Sequence, residues 1–215
     1  YYDTRTGEFL DNMNMILSFR KQEDGSIRIL SNVRETTVIT DFAPYEALIS
    51  FSAQPNWLAR SLGCLYESPS EIDMNYMFYL GVDHPGSWGD ISEKSRQTLL
   101  DHGFIEEMDL QIMPAEILED ALMSTFGINL MYVEMPEEWG YIVSEDAFCS
   151  NHSDAFFPGI PTITAVEDDG HFITIHYTID SYWLTATGEF MDTAPLVLSL
   201  VRNEDGTIHA VSNLL

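Results

Sequence analysis

Any chemistry in this chain has to come from its histidines, its carboxylates or its two cysteines, so their spacing comes first. His171 and His176 stand five apart on one predicted strand. An odd interval sends the two rings to opposite faces, so they cannot chelate one ion together there. Asn151-His152-Ser153-Asp154 lies in a polar stretch between Phe148 and Phe156-Phe157, which suits a binding loop. No Gly-x-Ser-x-Gly pattern surrounds Ser153, and His152 has no partner of defined geometry.

Carboxylates are abundant: 35 Asp and Glu stand against 9 Lys and Arg, a formal net charge of -26. With so many, some pair will sit at glycosidase separation by accident, and the sequence alone selects no acid–base couple. Glu137 and Glu138 beside Trp139 are the least implausible pair, although adjacent side chains usually point apart. The stretch 132–141, centred on Trp139, reads either as an aromatic contact surface for sugar or peptide or as part of the core. The turns Glu23-Asp24-Gly25, Glu167-Asp168-Asp169-Gly170 and Glu204-Asp205-Gly206 superficially resemble calcium loops. They lack the alternating ligands, sixth-position Gly and distal Glu of such a loop, and turn chemistry accounts for them. Trp139, Tyr141, His152 and Asp154 remain as candidate binding residues, with no catalytic residue, metal ligand or cofactor expected.

Cys64 and Cys149 are far apart and in no metal-type spacing. Nothing in the sequence brings them together, so both are expected as unpaired thiols. The charge is unevenly spread: residues 1–34 hold five groups of each sign, leaving four basic against thirty acidic residues in 35–215. Such a surface repels phosphate backbones and anionic membranes, which argues against nucleic-acid partners. It suits solubility, or a cationic ligand or partner. Apolar runs such as 74–82 fall short of the roughly 20 residues that cross a bilayer, so no direct membrane insertion is expected.

The elements that must position these residues change character along the chain. Over 42–127 the punctuation is helical. Ser70 is placed to cap a helix over 71–80, and Ser92 another to about 102, ended by Gly103. Pro114 fits the first turn of a third helix, where Ile117, Leu118, Ala121, Leu122 and Phe126 share a face before Gly127. Pro55 and Gly63 bracket a shorter helix around Trp57, and 43–50 is a weaker candidate. From about 160 the period becomes two, with strands over 160–164, 172–179, 196–202 and 207–212. The expected fold is α+β: a helical half over 42–127 packed on an antiparallel meander over 128–215.

The two ends of the chain repeat each other. Residues 1–34 over 182–215, offset by 181 without a gap, give 15 identities in 34 positions. A period that long marks a whole domain rather than one supersecondary element. Residues 1–34 then read as the terminal hairpin of a preceding repeat, and 35–215 as one complete unit. Strands over 13–20 and 26–33 should form that hairpin, docking against the helices of 42–127, to which Val38-Ile39-Thr40 leaves only a short connection, in preference to another molecule as an added or exchanged edge.

Ser68-Pro69-Ser70-Glu71-Ile72-Asp73 with Phe78-Tyr79-Leu80-Gly81, Met113-Pro114-Ala115-Glu116-Ile117 through Phe126-Gly127-Ile128, and Asp205-Gly206 with Val211-Ser212-Asn213-Leu214 carry a resemblance. They resemble an uncharacterised domain found in surface lipoproteins of anaerobic Gram-positive bacteria and in the extracytoplasmic parts of membrane-bound metallopeptidase sensors. The likeness covers most of 66–215. It implies an extracellular or cell-surface setting, tethered by a segment outside this chain, and a sensory or binding role. It transfers no catalytic residue, because the metallopeptidase zinc motif is absent from this chain. The expected function is a non-catalytic binding module for a small molecule, glycan or protein partner. The alternative is a carboxylate-dependent hydrolase acting on cell-wall or dietary polymers.

Overall fold

The computed structural model describes residues 15–21, 27–34, 37–50, 56–78, 87–152, 159–184 and 189–215, with 15–21, 27–34, 37–38, 152 and 183–184 described as backbone alone. The strands are β1 Met15–Lys21, β2 Ile27–Arg34, β3 Thr37–Val38, β4 Asp109–Pro114, β5 Gly140–Ile142, β6 Ala147–His152, β7 Thr162–Asp168, β8 Phe172–Leu184, β9 Glu189–Arg202 and β10 Ile208–Leu214. The helices are α1 Ala43–Ile49, α2 Trp57–Ser61, α3 Met74–Met77, α4 Glu93–Asp101 and α5 Ala115–Phe126, with single 3-10 turns at Pro69–Glu71 and Leu130–Tyr132. The fold is mixed α+β with a sheet-rich C-terminal part.

Period-two patterning builds the large sheet, whose strand order is β10-β9-β8-β7-β3 with antiparallel pairing throughout. Ile173, Ile175, Tyr177 and Ile179 of β8 lie inward beside Ala194, Leu196, Leu198 and Leu200 of β9. The alternation breaks at Ser181, whose φ of 59° lies in the left-handed region, and Tyr182 after it turns into the core. α5 covers this face with Leu118, Ala121, Leu122 and Phe126, and ends at Gly127 with φ 68°. Each fully buried Leu or Ile here contributes about 1.5–3 kcal/mol relative to exposure.

An ion pair between two strands of the sheet also receives a hydrogen bond from α1. Arg202 of β9 donates through Nη1 and Nη2 to the two carboxylate oxygens of Asp168 on β7, at 3.2 and 2.8 Å. The hydroxyl of Tyr45 on α1 donates to the same carboxylate at 2.9 Å. The guanidinium, helped by the Gly170 N–H and the Tyr45 hydroxyl, holds Asp168 below the usual carboxylate range although burial opposes it.

The expected helical half over 42–127 is only weakly developed. α1, α2 and α3 have seven, five and four residues, and β4 interrupts the run. β4 belongs instead to a second antiparallel sheet, ordered β4-β6-β5. Leu110, Gln111 and Met113 of β4 are all buried, because both faces of the small sheet are covered. One face carries α4, through Leu99 against Leu110, Ile142 and Cys149, and the other meets the main core through Met113 and Phe148. Burial from both sides erases the alternation by which a strand is read.

The helix expected over 71–80 is also displaced. Ser70 falls within the 3-10 turn, and α3 starts after Asp73, whose carboxylate accepts from the Tyr76 N–H at 3.0 Å. Ser92, in contrast, caps α4 as expected by accepting from the Ser95 N–H at 3.1 Å. β1 and β2 pair antiparallel as the expected N-terminal hairpin. Their side chains, on which docking would rest, lie outside the described residues, as does the Glu23-Asp24-Gly25 turn. Among the described residues no helix is long and apolar enough to cross a membrane.

Candidate functional site

Two segments far apart in sequence face each other across a cleft of about 610 Å³ that is open to solvent. Ser70–Asn75 forms one wall, from the 3-10 turn into the start of α3, and Glu134–Glu138 forms the other, in the loop leading to β5. Five carboxylates line it: Glu71, Asp73, Glu134, Glu137 and Glu138. Ile72, Met74, Met135 and Pro136 supply the apolar lining, and among the described residues no Lys, Arg or His takes part.

Local hydrogen bonds hold both walls. Glu71 accepts from the Glu67 N–H at 3.0 Å, while Asp73 caps α3. Asn75 links the two sides: its Nδ2 donates to Glu138 Oε1, and its Oδ1 accepts from the Trp139 indole N–H at 2.5 Å. The half-buried Trp139 ring is wedged between Phe78 and Phe148, each with its centroid 6.4 Å away. The row of rings continues from Phe78 to Trp57 at 5.0 Å and from Phe148 to Tyr141 at 4.9 Å. Trp139 thus packs against the main core and is tied to the cleft wall through Asn75.

Tyr141 points outward on β5, between inward Gly140 and Ile142. Its hydroxyl donates to Asp146 at 2.6 Å, an arrangement that raises the tyrosine pKa. On the adjoining strand Tyr141 pairs with Phe148, four positions and so roughly 13 Å from His152 along β6. His152 itself pairs with Asp109; its side chain, and Asp154 altogether, lie outside the described residues. Of the four residues proposed from sequence, Trp139 and Tyr141 are joined through Phe148. Glu71, Asp73, Asn75 and Glu134 were not proposed, because some sixty positions separate the two walls and acidic residues are common everywhere in the chain.

His171 precedes β8 and His176 lies within it, so the two do not share one strand as expected. His171 Nδ1 lies 2.9 Å from the Arg202 carbonyl oxygen, whereas His176 Nε2 is 4.0 Å from Glu167. The turn carboxylates are engaged locally: Asp169 accepts from the His171 and Phe172 N–H groups, and Asp205 from the Thr207 N–H and hydroxyl. Thr207 accordingly holds Asp205 below the usual carboxylate range. Cys64 and Cys149 are free and buried, in the main core and in the α4 cluster respectively. Burial pushes the Cys149 thiol up to about 12 and Cys64 well above its ordinary value. Both are therefore poor nucleophiles at neutral pH.

A second polar assembly is buried beneath β10. Asn213, with no exposed surface, donates through Nδ2 to the carbonyl oxygens of Leu62 at 3.2 Å and Cys64 at 2.7 Å. Its Oδ1 accepts from the Tyr177 hydroxyl at 2.7 Å, and its backbone exchanges two hydrogen bonds with Tyr66. Tyr182 adds a bond from its hydroxyl to the Gly63 carbonyl at 2.9 Å. This seam fixes the loop at the start of the α3 wall, through Cys64, whose Sγ lies 3.7 Å from the Asp73 carbonyl oxygen. No protein-family model, curated protein or solved structure matches the chain.

Proposed function

We propose that the chain is a non-catalytic binding module of an extracellular, tandem-repeat surface protein, and that it takes a positively charged ligand in the carboxylate-lined cleft. The observation that carries this reading is the cleft itself: five carboxylates, four apolar residues and no basic lining group among the described residues. Its volume falls within the range of small-molecule sites. A cation entering it gains Coulomb attraction from several carboxylates and relieves their mutual repulsion. The apolar lining favours an organic cation, such as a polyamine or a basic peptide side chain, over a bare ion. The cell-surface setting rests on the family resemblance in the sequence.

Titration with spermidine and with a short arginine-containing peptide tests the proposal, followed by backbone amide NMR. Shifts concentrated at 70–75 and 134–139, weakened at least tenfold when Glu134 and Glu137 are changed to Gln, are expected. Shifts scattered over the acidic surface, or unchanged affinity in the double variant, would overturn it. A second reading has its own observation: Glu137 and Glu138 both line the cleft opposite Asp73, so a carboxylate-dependent hydrolase would use this same place. Hydrolysis of a cell-wall glycan that is lost in Glu138→Gln would favour that reading over simple binding.

A further inference from the structure

The two terminal hairpins correspond in detail. β1–β2 pairs Lys21 with Ile27, Arg20 with Arg28 and Phe19 with Ile29, skips Leu30, and resumes with Ser18 opposite Ser31 and Leu17 opposite Asn32. β9–β10 pairs Arg202 with Ile208, Val201 with His209 and Leu200 with Ala210, skips Val211, and resumes with Ser199 opposite Ser212 and Leu198 opposite Asn213. Register and bulge coincide at the offset of 181. A bulge re-aims the strand at one chosen position, so its repetition carries the geometry of the whole edge and puts Asn32 at the place of Asn213.

That place has a defined use. Asn213 closes the seam on Leu62, Cys64, Tyr66 and Tyr177, and β9 lies along β8. In this unit the receiving surface is therefore already filled, and the first hairpin needs another like it. The substitutions between the hairpins say what kind. Phe19 and Ile29 stand opposite one another where Leu200 and Ala210 do, and both of the latter are buried against the core. A surface that fits Ala210 is too tight for Ile, so the partner shares the fold without being a second copy of this sequence. The connection is short as well: β2 ends at Arg34 and β3 begins at Thr37.

We propose that β1–β2 completes a preceding unit of this same fold in the same polypeptide, with Asn32 as its buried key. Consecutive units are then joined through residues 35–36 alone. The last strand of one sheet runs within about 11 Å into the far-edge strand of the next, so the units follow head to tail in fixed order.

The test compares the 215-residue chain with an extended chain that carries residues 35–181 ahead of Tyr1, with Phe19→Leu and Ile29→Ala to match the surface supplied. Residues 27–34 of the extended chain should gain amide-exchange protection comparable with that of residues 208–214. Asn32→Ala should abolish that protection while leaving the melting temperature of the 215-residue chain unchanged, whereas Asn213→Ala lowers the latter by roughly 5 °C or more. Unprotected residues 27–34 in the extended chain would overturn the proposal, including by failure of the first unit to fold. So would an Asn32→Ala loss in the 215-residue chain equal to that of Asn213→Ala, which means docking within the same unit. A dimer of the 215-residue chain dissolved by Asn32→Ala would also overturn it, in favour of exchange with a second copy.

Discussion

Beneath β10, the Asn213 side chain makes two donations and one acceptance, all inside the protein. Beside α3, five carboxylates gather on a solvent-open cleft without a basic residue among its described lining. The first arrangement is what a fold requires: a buried polar group that is fully satisfied specifies which loop meets which strand. The second is what a fold does without, since crowding like charges costs stability and orders nothing. Polar groups that stabilise the protein are thus separated from those that stand ready for a partner. The Gly63–Asn75 stretch connects the two, because it begins in the seam and ends in the cleft.

Alkaline unfolding should expose the seam most forcibly. Tyr66, Tyr177 and Tyr182 are almost wholly buried, and burial raises each hydroxyl pKa above its ordinary value. Below the unfolded value near 10 both states are neutral, and these groups leave stability untouched. Above it only the unfolded chain releases protons, so stability falls by up to about 1.4 kcal/mol per pH unit for each tyrosine. A separate late step in tyrosinate absorbance should therefore coincide with loss of near-UV dichroism. Smooth ionisation of all the tyrosines around pH 10 without unfolding would show the seam to be wet.

Asn213→Ala comes next. It removes two donations and one acceptance at a site with no water access, leaving the Leu62 and Cys64 carbonyls and the Tyr177 hydroxyl without that partner. Urea unfolding should show a loss of about 3 kcal/mol. A loss under about 0.5 kcal/mol, the size expected at an ordinary surface position, would remove the contrast with the cleft. Gly63→Ala is a smaller perturbation that reaches both regions. A Cβ there falls 1.9 Å from the Tyr76 ring, so the ring must shift, at about 1–3 kcal/mol. Because Tyr76 follows Asn75, the Asn75 bond to Trp139 should loosen as well, read as a change in indole N–H chemical shift. A destabilised variant with that signal unmoved would separate seam from cleft.

The seam and the cleft were unequally legible in the sequence. Alternation in 172–179 and the Ser92 cap gave the sheet and α4, because each depends on neighbours in sequence. The start of α3 is ambiguous in the sequence because Ser70 and Asp73 are both competent caps, and the choice falls to Ile72, which is buried and extended between them. β4 is hidden in the sequence because two-sided burial leaves no period. Asn213 showed itself only as an identity within the repeat, with nothing to say that it reaches Leu62 and Cys64 some 150 positions away. Trp139 reads from sequence as either surface or core, and its half-buried place is set by contacts from α3 and β6 that no local pattern encodes.

The smallest expected effect tests the cleft by improving the protein. Glu137 is exposed and lines the cleft with four other carboxylates, so neutralising it removes repulsion without opening a cavity. Glu138 is a poorer choice for this purpose, because its Oε1 accepts from Asn75. Glu137→Gln should therefore raise the melting temperature by about 1 °C in dilute buffer near 0.01 M salt, where charges act over roughly 30 Å. In about 1 M salt, with a screening length near 3 Å, the gain should vanish. The seam offers the control: Asn213→Ala removes hydrogen bonds between neutral groups, and its cost should persist at both salt concentrations. If Glu137→Gln instead lowers the melting temperature, or if its gain survives high salt, then Glu137 has a structural partner and the cleft belongs with the seam. A salt-sensitive gain accompanied by lost spermidine binding would place the stability and the affinity of Glu137 in direct opposition.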